Sequence, residues 1–136
     1  MEYLRQYEIL IRKAENDFKT AKLVYENIGD IEIETGLFHL QQATEKGLKA
    51  ILIFNKVEAP KTHRLDVLFE LIVDNNIDLE LKDILLDLNE YAVDARYDYL
   101  SESFENFSDF LYEVEKLINN VKTNITNKKK KLIIEQ

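Results

Sequence analysis

Between Tyr3 and Ile28 the apolar side chains, among them Tyr7, Leu10, Ala14, Phe18, Ala21 and Val24, return every three or four positions. That interval matches the turn of an α-helix and lays one apolar stripe along a long amphipathic rod. The same interval recurs almost to the end of the chain, and only three Gly and one Pro stand in 136 residues to interrupt it. With so few backbone breakers, long helices are the economical fold. The length suits one compact domain.

Gly29-Asp30 ends the first helix. After the acidic connector IEIETG, the segment LFHLQQATEKGLKAILIFN, residues 37–55, is apolar nearly all round in its C-terminal half. Such a helix belongs at the centre of a bundle. Pro60, in KVEAPKTHRL, disfavours helix at Ala59 and leaves Thr62 to cap a short helix over residues 65–72 that stops at Asp74-Asn75-Asn76. Asp78 opens the next, LELKDILLDLNEYAVDAR, with Leu81, Ile84, Leu85, Leu88 and Tyr91 on its apolar face and an end near Arg96. A last helix starts around Ser101 or Ser103 and carries Phe104, Phe107, Phe110, Val114, Leu117 and Val121. No strand-like alternation competes, so the expected fold is all-α: an up-down bundle of about five helices. Residues 1–125 form the bundle; residues 126–136, with the run KKKK, form a basic C-terminal tail whose default reading is a solvated, partly frayed helix end.

The chain has no Cys, which removes disulfides, thiolate metal sites and cysteine nucleophiles. His39 and His63 are not spaced as a helical ligand pair and there is no Asp-rich calcium loop, so neither metal nor other cofactor is expected. The opening MEYLRQYEILIRKAE is charged from its second residue, unlike a signal peptide, and no apolar run approaches the roughly 18 residues of a membrane span. A cytoplasmic protein without membrane contact is the expectation. A net charge of −8 argues against broad nucleic-acid binding and leaves room only for a focused basic site.

Three stretches carry candidate chemistry. In QQATEKGLKA, residues 41–50, Glu45 precedes Lys49 by four, the favourable order for a helical ion pair, and Gln42 precedes Lys46 likewise for a hydrogen bond. Gly47 in mid-helix costs about 1 kcal/mol relative to Ala and predicts a helix crossing closely there. In APKTHRL, Thr62, His63 and Arg64 sit at a helix start, where free N–H groups suit a phosphate; the plainer alternative is that His63 bonds a carboxylate or carbonyl across the bundle. In AVDARYDYL, residues 92–100, Arg96 lies beside Tyr97 and Tyr99 among acidic neighbours, where an exposed counter-ion contact is worth only about 0–1 kcal/mol.

With FHLQQATEKGLKAIL, APKTHRLDVL and ARYDY in this order, the chain resembles the HEPN family (higher eukaryotes and prokaryotes nucleotide-binding) over roughly residues 3–122. The resemblance implies a small helical bundle, commonly a homodimer, encoded beside a minimal nucleotidyltransferase. Some members are metal-independent ribonuclease toxins; others bind nucleotides or serve as accessory subunits of toxin-antitoxin-like systems. The ribonuclease branch carries an Arg, four to six residues and then a His. From Arg96 those positions hold Ser101, Glu102 and Ser103, and no His follows His63. The resemblance therefore implies a non-catalytic subunit that binds a nucleotide, RNA or a nucleotidyltransferase partner. Glu45, Lys49, His63, Arg96, Tyr97 and Tyr99 are then the phosphate-binding or interface residues. A divergent ribonuclease toxin and a purely structural dimerisation module are the alternatives.

Overall fold

The computed structural model describes residues 5–92 and 106–135. Among them are four α-helices, α1 (Gln6–Glu26), α2 (Ile33–Phe54), α3 (Leu65–Asp74) and α4 (Phe107–Glu135), with a 3-10 helix at Asp83–Tyr91 between the last two. The fold is the all-α bundle that the apolar spacing predicts. Arg96, Tyr97 and Tyr99 lie outside the described residues.

Ring contacts set the directions. Tyr7, at the start of α1, meets Phe54, at the end of α2, edge to face at 5.1 Å, while Tyr25, near the end of α1, meets Phe107, at the start of α4, at 5.3 Å. Thus α1 runs antiparallel to both α2 and α4. The stripe of α1 that the sequence marks is the buried one, with Tyr7, Ala14, Ala21 and Val24 against α2. Helix α2 is central: twelve of its residues are buried, and α1, α3, α4 and the 3-10 helix all pack on it. Each fully buried Leu or Ile there contributes about 1.5–3 kcal/mol relative to exposure.

Helix α2 begins four residues before the predicted Leu37. Glu32 provides an extended N-cap and Glu34 a favourable charge in the first turn, so part of the connector is helical. This brings Gly36 into the helix, where a Cβ would lie 2.9 Å from Phe107 Cε2 and 3.1 Å from Val24 Cγ1. The close approach expected at Gly47 is therefore found at Gly36. At Gly47 a Cβ would meet nothing within 4 Å among the described residues, although the residue is buried. Gly47→Ala should accordingly raise stability by about 1 kcal/mol in urea denaturation, because helix propensity improves and no described neighbour is displaced.

The helix predicted from Asp78 does not form as an α-helix. Residues 77–82 are irregular, and 83–91 wind as a 3-10 helix with Leu85, Leu88 and Tyr91 buried. Here the apolar side chains Ile77, Leu79 and Leu81 alternate with exposed Asp78, Glu80 and Lys82, the period of an extended chain and not of a helix. The tail continues α4 as helix to Glu135. Lys128 hydrogen-bonds Asn55 and lies 6.0 Å from the Phe54 ring centre, and Lys129 lies 5.3 Å from that of Tyr7.

Candidate functional site

Gln41, Glu45 and Lys49 stand at successive four-residue steps of α2 and share one face. Glu45 Oε2 accepts from Lys49 Nζ at 3.1 Å, and Oε1 accepts from His63 Nδ1 at 3.0 Å and from Gln41 Nε2 at 3.3 Å. A carboxylate only accepts, so Nδ1 of His63 is assigned the hydrogen and Nε2 is left to face outward. Gln41 Nε2 also reaches the His63 carbonyl at 3.0 Å, which fixes the loop before α3 to α2. The Glu45 side chain is 7% exposed and that of His63 64%, so the network has a closed root and an open tip. The plainer reading of His63, a bond to a carboxylate across the bundle, is what the geometry shows.

The entrance to α3 is satisfied differently from expectation. Arg64, not Thr62, is the N-cap residue, and it makes no side-chain cap. Thr62 Oγ1 instead accepts from Arg64 N at 3.1 Å, and Asn89 Oδ1, from the 3-10 helix, accepts from Leu65 N at 2.7 Å. Two of the N–H groups at this helix start are thus taken by protein acceptors. Arg64 Nε donates to Asp66 Oδ1 at 3.0 Å and holds that carboxyl below its ordinary 3.8. The pair thus favours the folded state above that pH, and the contribution is lost as pH falls through the lowered value.

A second cluster was not anticipated. Asp17 of α1 accepts from His39 Nδ1 at 2.9 Å and from Lys46 Nζ at 2.5 Å. Lys46 is therefore not the partner of Gln42, whose Nε2 donates to Gln41 Oε1 at 2.7 Å. The signal was legible: Asp17 sits between Ala14 and Ala21 on the core-facing stripe of α1, and His39, Gln42 and Lys46 fall on one face of α2.

Beside Glu45, Lys49 also lines a cavity of about 650 Å³ where the N-terminal part of α1 meets the loop after α2. Leu10, Ile53, Val57, Ala59 and Pro60 supply apolar wall, and Lys49, Lys56 and Lys61 line the cavity with one acidic residue, Glu58, while Lys49 keeps its pair with Glu45. Lys56 and Lys61 have no ion-pair partner among the described residues. Lys56 is also in a costly conformation, with φ 63°. Val57 N bonds Leu52 O at 2.9 Å and Lys56 N bonds Ile53 O at 3.0 Å, which makes Lys56 the left-handed residue of a Schellman cap, a place usually taken by Gly. The equivalent position after α3 is held by Asn76, φ 55°, a residue better suited to it. Among the described residues no group of three His, Cys, Asp or Glu is placed to hold a metal, and no helix is long and apolar enough to cross a membrane.

The described residues form a small all-α bundle with a buried carboxylate at the root of a polar network beside a basic pocket. The sequence model of the HEPN domain matches residues 7–125, and the chain belongs to that family. The crystal structure of an archaeal HEPN homologue is similar to it at a TM-score of 0.65 and 21% identity, over 90% of this chain and 99% of that one. No curated protein matches the chain.

Proposed function

We propose that the protein is a non-catalytic HEPN subunit that binds a nucleotide, with its phosphates on Lys49, Lys56 and Lys61 and its base against Leu10, Val57 and Pro60. The observation that carries this reading is the gathering of three lysines at one cavity in a chain of net charge −8, with Glu58 the acidic residue of its lining and Glu45 behind Lys49. Two of those lysines have no ion-pair partner among the described residues, and one occupies a left-handed position that disfavours it. Strain kept at one residue is a pointer to function, since glycine there would be more stable. Glu45 and His63 act one step back: the carboxylate orients Lys49, and His63 presents Nε2 at the edge of the network. Family membership supports a homodimer and a minimal nucleotidyltransferase as protein partners, with Arg96, Tyr97 and Tyr99 as further contacts. The ribonuclease alternative is disfavoured by Ser101, Glu102 and Ser103 standing where its His is required.

The structural alternative draws on the closed root of the network, because mutual pairing of Glu45, Lys49 and His63 would also serve a simple clamp. Lys56→Gly separates the two. It should stabilise the fold by about 1 kcal/mol by relieving the left-handed lysine. It should also weaken ATP binding, measured by isothermal titration at low salt, about tenfold for the loss of one charge-assisted contact. A clamp without a ligand predicts the gain in stability with no ATP binding in either protein.

A further inference from the structure

Among the described residues the run Ile77 to Lys82 has no strand beside it. Its odd-numbered side chains pack on the core and its even-numbered ones are exposed, as in a β-strand, yet among the described residues no N–H from Asp78 to Leu81 donates a hydrogen bond. From the facing helix Asn124 Nδ2 donates to the Asp78 carbonyl at 2.7 Å, and Lys116 Nζ lies 3.8 Å from Glu80 Oε1. Free backbone groups on an extended chain are the template for adding a strand.

Helix α4 forms the opposite wall. Asn120, Asn124 and Asn127 repeat at intervals of four and three on one face, with Lys131 one turn further on. The stretch NNVKTNITN, residues 119–127, holds four Asn and two Thr, all weaker helix formers than Ala, Lys or Glu, so helix stability does not account for the choice. The side-chain amides of Asn120 and Asn127 have no protein partner among the described residues. Carboxamides carry one acceptor and two donors, the complement of a peptide group. Between the walls lies a groove of about 630 Å³ with Lys128 and Lys131 at one end. From Asn120 to Lys131 the helix rises roughly 16 Å, the length of about five extended residues.

We propose that this groove binds an extended peptide segment. Its backbone pairs with the N–H groups of residues 78–81 that have no described partner and with the amides of Asn120 and Asn127, on either side of the Asn124–Asp78 bond, and an acidic residue at one end meets Lys128 and Lys131. Asp78 and Glu80 on the rim disfavour a polyanion such as RNA in the same place. The groove shares no lining residue with the lysine basin, so the two sites stand or fall separately.

The test uses the full chain labelled with ¹⁵N and a blocked hexapeptide library, randomised at its four central positions with glutamate at each end. The library should shift the backbone amides of residues 78–81 and the side-chain amides of Asn120 and Asn127, and slow exchange of those backbone amides at least tenfold. N-methylation of alternate library residues should abolish the effect, and Asn120→Ala with Asn127→Ala, a pair that improves helix propensity, should weaken it at least tenfold. The proposal is overturned by no shift at millimolar library, by equal binding of the N-methylated library, or by shifts confined to the lysines.

Discussion

Gly36→Val should destabilise the protein by about 3 kcal/mol, the upper range for overpacking a filled core. The first atom added already falls 2.9 Å from Phe107 Cε2 and 3.1 Å from Val24 Cγ1, and a branched side chain adds two more. Phe107 has little room to yield: it is fully buried and its ring is held edge-on by Tyr25. The gain in helix propensity offsets only part of the strain. Urea denaturation of Gly36→Val beside Gly47→Ala gives the comparison its force, because the two changes should move the midpoint in opposite directions. If both lower it equally, the packing described at the two glycines is wrong. Phe107→Leu in the Gly36→Val background should recover part of the loss, as coupling through direct contact requires.

Glu45→Ala should cost about 2–3 kcal/mol, somewhat below the loss typical of a broken buried ion pair. The carboxylate anchors three donors from two elements, and its removal leaves Lys49 with no other described acceptor, while Gln41 keeps only its bond to the His63 carbonyl. The discount arises because His63 can turn to water and Lys49 can extend its stem toward the basin. Glu45→Gln keeps one acceptor for His63 but points an amide donor at Lys49 or at His63, so it should lose about half as much. Both variants should also weaken ATP binding, since Lys49 is no longer oriented. A Glu45→Gln protein as unstable as Glu45→Ala would show that volume, not charge, matters there.

Much of the bundle was legible because burial follows helical spacing directly. The stripe of α1, the buried second half of α2 and the Phe-rich start of α4 all lie where the three-four rule puts them. The miss at 77–82 has an equally direct cause. IDLELK alternates apolar and charged residues, which is a strand period, but it abuts the helical spacing of Leu85 and Leu88, which masks it. Gly47 misled because a costly residue in a helix signals some local need, whereas the need met by contact is at Gly36, inside a stretch that reads as connector. For the candidate site, the Glu45–Lys49 pair and the bond from His63 follow from spacing and residue type. The lysine basin does not, because Lys56 and Lys61 are remote from Gln6 and Leu10 in sequence and meet them only through the antiparallel packing of α1 and α2. The left-handed conformation of Lys56 is likewise invisible until the cap after α2 is built.

The most direct test of the central claim is an NMR titration of the ¹⁵N-labelled protein with ATP at low ionic strength. Binding in the basin predicts saturable shifts at Lys49, Lys56, Lys61 and Leu10, a response at Glu45 and His63 through Lys49, and loss of the basin shifts in Lys56→Gly. Saturable shifts that avoid these residues, or none at millimolar ATP, would contradict it.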